Sequence, residues 1–290
     1  MKHTRLKSSA LFAAGLLVLA ACGSDSNSSA GPTAAPVTAT PTPTETTMDT
    51  TAMMPLPDYA SAMKLELTSD TAGGTVTDNV VSFKVAATGY ELSCNWTGKE
   101  VTEGFGHYHV LLDGALVDMK CTSEASVSMQ NVKPGEHSIV VLPALNDHAE
   151  VRDNAVEFLF TYAPTSPLPE IGDAASAGTP SIKIISPKPG EVVKGDFDVV
   201  VEVTNYVLNG DLFGKPGLFG IGHYHVNLDT ITGPMMGMAT MLGMGSTTTF
   251  KASTTGLAAG ETHTIIVLLA DNGHAPLMPV IQGSVEITVG

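Results

Sequence analysis

The sequence predicts an all-β protein with two tandem β-sandwich domains behind a long N-terminal segment. Three observations lead to this fold class. Short β-branched segments alternate with Gly, Pro, Asn and Asp, no apolar stripe has the helical period, and a GxGHYHV motif occurs twice. Short strands and turns in this pattern are typical of sandwiches of about 100 residues each.

Residues 1–21 are expected to direct the chain out of the cytoplasm and then to be removed. Lys2, Arg5 and Lys7 precede an apolar stretch that is too short to span a bilayer as a mature helix. The stretch ends in Leu-Ala-Ala-Cys at Cys22, which resembles the lipobox of bacterial lipoproteins. That resemblance implies cleavage before Cys22 and its acylation, with chains such as palmitate, as a membrane anchor. An ordinary secretory signal is the alternative interpretation.

The next segment, residues 22–59, is rich in Ser, Thr, Pro and Ala and is predicted to be a disordered linker. Residues 1–21 hold three of the 14 Lys and Arg and none of the 29 Asp and Glu, so their removal changes the formal net charge from −15 to −18. Such a charge opposes binding to nucleic acid and is compatible with the capture of cations. A protein partner outside the cytoplasm is compatible with the sequence.

The rest of the chain divides by self-similarity into a first domain at 60–163, a linker at 164–179 and a second domain at 180–290. KLELT in the first domain corresponds to SIKII in the second, GEHSIVVL to GETHTIIVL, and NDHA to NGHA. The opening ISPKPGEVV of the second domain resembles that of many bacterial immunoglobulin-like domains. Cys94 and Cys121 both fall in the first domain, and a disulfide between them is expected in an oxidising compartment. Thiolate metal ligation is the alternative.

The two GxGHYHV segments place pairs of histidines on one face of a strand. Alternation along a strand puts Tyr108 and Val110 on the core face, so that His107 and His109 share the opposite face, which we expect to point outward. The second copy repeats this arrangement at His223 and His225. Two adjacent imidazoles on one face can chelate a single ion.

A third ligand is predicted from the loop that follows GEHSIVVL. If that strand runs antiparallel to the histidine strand, its end lies beside the first histidine, and the loop brings His148 to the first pair and His274 to the second. Three imidazoles with an open position suit Cu(II) or Zn(II), and copper is favoured by intrinsic affinity.

Three further groups of residues have open roles. His137 and His263 follow turns at strand starts, and we favour a structural, hydrogen-bonded role with Asp113 and Asp229 as partners over a role as additional ligands. The second domain carries an insertion whose methionines could bind a soft metal, although a flexible apolar flap is the favoured interpretation. These methionines are Met235, Met236, Met238, Met241 and Met244.

The pattern G-x-G-H-x-H-x-x-x-D, followed by a G-x(1–2)-H-[ST]-I segment and a loop with Asn and His, resembles a bacterial family of secreted and periplasmic domains of unknown function. The resemblance supports the fold and the motif and implies no activity. Three hypotheses follow: a lipid-anchored copper- or zinc-binding protein for metal uptake, buffering or delivery, a non-catalytic adhesion or scaffolding lipoprotein with structural histidines, and a copper-dependent redox enzyme. No residue pattern suggests hydrolysis.

Overall fold

The computed structural model describes residues 55–175, 178–233 and 236–290. The predicted signal peptide, Cys22 and the predicted linker up to residue 54 lie outside the described residues. The regular structure of the described part consists of β-strands and short 3-10 helices. None of the described helices has the length and apolar character that crossing a membrane requires.

The first domain contains nine strands in two sheets. They are β1 (Lys64–Thr68), β2 (Thr75–Val76), β3 (Val80–Thr88), β4 (Glu91–Leu92), β5 (Phe105–Leu112), β6 (Ala115–Lys120), β7 (Glu124–Ser128), β8 (Gly135–Ala144) and β9 (Val156–Tyr162). One sheet has the order β1-β3-β7, and the other has the order β2-β9-β8-β5-β4, with β6 also paired to β5.

The second domain repeats the same nine strands in the same order. They are β10 (Ser181–Ser186), β11 (Glu191–Val193), β12 (Asp196–Thr204), β13 (Val207–Leu208), β14 (Ile221–Leu228), β15 (Met241–Gly245), β16 (Thr249–Ser253), β17 (Thr262–Asp271) and β18 (Gln282–Val289). The sheets are β10-β12-β16 and β11-β18-β17-β14-β13, with β15 beside β14. The predicted fold class, two tandem immunoglobulin-like β-sandwiches, is therefore confirmed for the described residues.

The core of each domain lies between its two sheets. Along β3 exposed and buried residues alternate, so Val81, Phe83 and Val85 face the core. Tyr108 and Val110 on β5 fill the same core from the larger sheet, as the alternation along the motif predicts. A 3-10 helix at Asp58–Ala62 precedes β1 and buries Ala60.

The part of each larger sheet that carries the histidines is covered on its outer face rather than open to water. Both domains belong to one compact unit, and β14 is buried along its whole length, on both faces. Lys99 of the first domain donates to the Ser253 carbonyl at 2.6 Å, and Lys215 of the second donates to the Ser128 carbonyl at 2.6 Å. These reciprocal contacts define the domain interface, which resembles the isologous contact of a two-fold dimer.

The histidine face is directed away from the core of its own sandwich, as expected, but it is not exposed to solvent. His107 and His109 are both only 1% exposed. The reason is the packing of the two domains, which buries this face.

Candidate metal centre

Three imidazoles of the first domain converge on one point. Nε2 of His107 lies 3.1 Å from Nε2 of His109 and 3.0 Å from Nδ1 of His148, and the last two nitrogens are 3.3 Å apart. All three side chains are buried. We call His107, His109 and His148 the first triad.

The second domain repeats this arrangement. Nε2 of His223 lies 3.0 Å from Nε2 of His225 and 3.1 Å from Nδ1 of His274. The three ligand-type nitrogens lie within 4.8 Å of one another, and the side chains are again buried. We call His223, His225 and His274 the second triad. The structure thus brings together the six histidines that the sequence predicts as two sets of three.

Strand register accounts for the convergence in the first triad. The expected antiparallel pairing is confirmed, because β5 pairs with β8 and His107 lies opposite Ala144 at the end of β8. The chain then turns tightly, since the His148 amide donates to the Leu145 carbonyl at 2.9 Å. This turn returns the third imidazole to the start of β5.

The third histidine of each triad has a left-handed backbone. His148 has a φ of 66° and His274 a φ of 69°. A non-glycine residue in this region costs about 1–3 kcal/mol, and such residues cluster at binding and catalytic sites. The same unfavourable geometry at the same position in both domains indicates that the direction of this side chain matters.

Each third histidine is oriented by the opposite domain. Nε2 of His148 lies 2.7 Å from the carbonyl oxygen of Met241 on β15, and Nε2 of His274 lies 2.7 Å from that of Leu116 on β6. A carbonyl oxygen only accepts, so in each case Nε2 carries the proton and Nδ1 presents a lone pair to its own triad. Each triad is therefore completed by a contact across the domain interface.

A carboxylate orients the second histidine of the first triad. Nδ1 of His109 lies 2.8 Å from Oε1 of Glu150, whose other oxygen pairs with Arg152. With a neutral imidazole this partner assigns the proton to Nδ1 of His109 and leaves Nε2 as an acceptor. A carboxylate behind a histidine is the usual outer partner of a metal-ligating imidazole.

The tautomers set by these outer partners leave too few protons inside the first triad. His109 and His148 each direct a lone pair inward, so that His107 alone can supply an N–H at the centre. One N–H cannot satisfy two acceptors equally, and Nδ1 of His107 is also buried without a hydrogen-bond partner among the described residues. Converging lone pairs in a dry environment repel one another unless a cation lies between them.

Burial lowers the pKa of several of these imidazoles and so favours their neutral form. It is the main cause that lowers the pKa of His148 to about 3, and the neighbouring His109 adds to the effect. Burial likewise lowers the pKa of His107 and His223 well below the ordinary range. In the second triad burial and then His274 lower the pKa of His225 to about 3. Neutral imidazole is the form that binds a metal ion.

The two triads differ in their outer partners. Glu150 forms a bridge with Ala144 at the end of β8, and the equivalent bridge in the second domain joins Ala270 and Pro276. Proline therefore replaces the carboxylate beside the second triad. Phe213 packs against His223 there, with ring centroids 4.5 Å apart. The second triad therefore lacks the carboxylate partner that Glu150 provides in the first.

His137 and His263 join neither triad. Nδ1 of His137 lies 2.6 Å from Oδ2 of Asp113, and Nδ1 of His263 lies 2.8 Å from Oδ2 of Asp229. The other oxygen of each aspartate accepts from the amide of the next residue in the histidine's strand. These contacts join the turn that follows each histidine strand to the adjacent strand, β8 in the first domain and β17 in the second. The role of His137 and His263 is therefore structural.

The methionine segment contributes a strand rather than only a flap. Met241 and Met244 belong to β15, which occupies the position of β6, and Met241 is 2% exposed. Met238 begins a 3-10 helix at Met238–Thr240, and Met236 lies just before it, where Asn227 donates to the Gly237 carbonyl at 2.7 Å. Met235 lies outside the described residues.

Sequence reasoning missed several residues that join the two domains or contact a triad histidine. Lys99 is buried and donates to three carbonyls, and Lys215 donates to two; burial lowers the pKa of each to about 8. The sequence feature that could have identified both lysines is the Gly-Lys pair that precedes the histidine strand in each domain. Glu150 was missed as well, although it follows His148 by two residues.

The predicted disulfide is confirmed. Cys94 and Cys121 are bonded, with Cα atoms 5.4 Å apart. Thiolate metal ligation by these cysteines is thereby excluded while the bond is intact. A structural disulfide indicates an oxidising compartment.

Comparisons with known proteins give only distant structural likeness. No family model matches the chain, and no curated protein matches it. Among solved structures it is similar to the BSP domain of a biofilm associated protein, at 16% identity and a TM-score of 0.21, over 78% of this chain and 29% of the other. It is also similar to dimeric latent PorU from Porphyromonas gingivalis, at 12% identity and a TM-score of 0.22, over 81% of this chain and 21% of the other. A third similar structure, the FN1–FN3 domains of chicken CNTN1, has 10% identity and a TM-score of 0.22, over 77% of this chain and 66% of the other.

In each case the chain spans less than two thirds of the structure that it matches. Identities and TM-scores this low say nothing about the activity or partners of this protein. Its function has to be argued from the two triads.

Proposed function

We propose that this protein is a lipid-anchored, extracytoplasmic metal-binding protein that holds copper or zinc at one three-histidine site in each domain. The observation that carries the proposal is the convergence of three buried imidazoles in each domain, with outer partners that turn two ring nitrogens of the first triad inward as acceptors. A metal cation is the partner that neutral imidazole nitrogens in this arrangement lack.

The geometry of the triads fits such an ion. Ligands at the usual Zn–N distance of 2.0–2.1 Å lie about 3.3 Å from one another in a tetrahedral site. The first triad has nitrogen separations of 3.0–3.3 Å. Three protein ligands leave a further position for exchange, as metal uptake, buffering or delivery requires.

The location rests on other features. The lipobox-like sequence at Cys22 supports a lipid anchor, and residues 22–59 would hold the folded part away from the membrane. Removal of the signal leaves a strongly acidic chain, which attracts cations to the surface before the triads capture them. A metal-exchanging protein partner outside the cytoplasm fits this placement.

Metal content tests the proposal. Residues 23–290, which lack the acylated cysteine, are loaded with Cu(II) or Zn(II), desalted and measured by mass spectrometry for bound metal. We expect close to two equivalents. His107→Ala with His109→Ala should remove one equivalent, and the same changes at His223 and His225 should remove the other.

His137→Gln is the matched control, because this half-buried histidine lies in the same domain but outside the triad. It should retain both equivalents. Wild-type protein that binds no metal, but unfolds when the triad histidines are replaced, would show that these histidines are structural. The adhesion or scaffolding hypothesis would then be the better account.

A further inference from the structure

A methionine lies beside the second histidine of each triad. In the pairing of β5 with β6, His109 is directly opposite Met119, and in the pairing of β14 with β15, His225 is directly opposite Met244. Directly opposite residues of antiparallel strands project from the same face, with Cβ atoms about 4.5–5.5 Å apart. Each thioether therefore shares the face that carries its triad.

The two methionines are equivalent by register. Lys120 is paired with Tyr108, and Gly245 with Tyr224, so the preceding residues of β6 and β15 correspond. Strand β6 reads ALVDMK and β15 reads MLGMG. When they are aligned on these pairs, methionine is the residue that the two edge strands have in common. A side chain needed only to fill space could have been any large apolar residue.

Met119 and Met244 also meet in one cavity. A space of about 350 Å³ at the domain interface is lined by both methionines and by His107 of the first triad. Both methionines are partly exposed rather than sealed in a sandwich core. The cavity therefore leaves space for a sulfur atom beside His107 of the first triad.

The chemistry of this combination differs from that of three histidines alone. Imidazoles serve zinc and copper alike, whereas a thioether is a soft ligand that favours Cu(I) and also binds Cu(II) weakly at long distance. We propose that Met119 and Met244 are thioether ligands beside the first and second triads and make both sites copper sites that accept Cu(I). This inference rests on the proposed metal-binding function and names its metal.

Methionine-to-leucine substitutions test the assignment, because leucine conserves the volume and removes the sulfur. Cu(I) affinity is measured by competition with a chromophoric Cu(I) chelator under reducing conditions that leave the disulfide intact, and Zn(II) affinity by a zinc-responsive dye. In Met119→Leu with Met244→Leu, Cu(I) affinity should fall by about tenfold or more, equivalent to 1.4 kcal/mol. Zn(II) affinity should change far less.

Met278→Leu is the control, because Met278 is 82% exposed and lies away from the cavity lining; it should not alter Cu(I) affinity. X-ray absorption at the copper edge gives a second readout, in which the Cu(I)-loaded wild type shows a sulfur scatterer that the double variant lacks. Unchanged Cu(I) affinity and no sulfur scatterer, with two equivalents of Zn(II) still bound, would overturn this inference alone. If neither metal binds the wild type, the proposed function fails as well.

Discussion

Replacing Glu150 by glutamine changes one outer contact of the first triad and leaves its three imidazoles in place. The Glu150 carboxylate accepts from His109 at 2.8 Å, and the two side chains are only 17% and 2% exposed. Removal of an outer partner of this kind lowers metal affinity by about 10–100-fold. That factor corresponds to about 1.4–2.7 kcal/mol of binding free energy. The second triad has Pro276 at the equivalent position, so the wild-type sites should differ by a similar factor.

The assay is a competition titration with a chromophoric chelator, in a background where His223→Ala and His225→Ala remove the second site. Glu150→Gln should weaken the remaining site by the stated factor. Glu157→Gln, an exposed carboxylate on β9, is the charge-matched control and should have no effect. The reciprocal change Pro276→Glu, made with the first site removed, should strengthen the second. Equal affinities for wild type and Glu150→Gln would refute the idea that this carboxylate tunes the first triad.

Three further results are expected. Burial lowers the pKa of His148 from 6.5 to about 3, so between these pH values the unfolded chain binds more protons than the folded one. The free energy of unfolding of the metal-free protein, measured with urea, should therefore fall as the pH is lowered from 7 to 5. A free energy of unfolding that stays constant over this range would contradict this. A Cβ at Gly98, where φ is +72°, would lie 2.5 Å from the Met241 carbonyl oxygen. Gly98→Ala should therefore destabilise the domain interface by about 1–3 kcal/mol and lower the metal affinity of the first site. An unchanged metal affinity in this variant would contradict the idea that the opposite domain supports the first site. Cys94→Ser removes the disulfide, which closes a loop with a sequence separation of 27, and should lower the free energy of unfolding by about 3.5 kcal/mol. An unchanged free energy of unfolding would show that this disulfide does not stabilise the fold.

The repeated motif made the triads predictable from sequence. Alternation fixed which face His107 and His109 share, and an assumed strand pairing brought His148 to them. Both steps depend on local geometry, which holds in any sandwich with this strand order. The same reasoning placed Tyr108 in the core, where the structure has it.

The surroundings of the triads were not predictable in this way, because they come from the packing of one domain on the other. The Met241 carbonyl that orients His148 and the buried Lys99 belong to contacts between residues far apart in the chain. A repeat in the sequence shows that two domains exist and does not show which faces they bury together. Met119 was overlooked for the same reason, since only the register of β6 against β5 reveals its place beside His109.

The most direct test of the central claim is anomalous diffraction from crystals of the metal-loaded protein, recorded at the copper and zinc absorption edges. The account predicts one peak inside each triad, about 2.0–2.1 Å from each of its three inward nitrogens. Peaks only at surface carboxylates, or triads that bind no ion after loading, would contradict it.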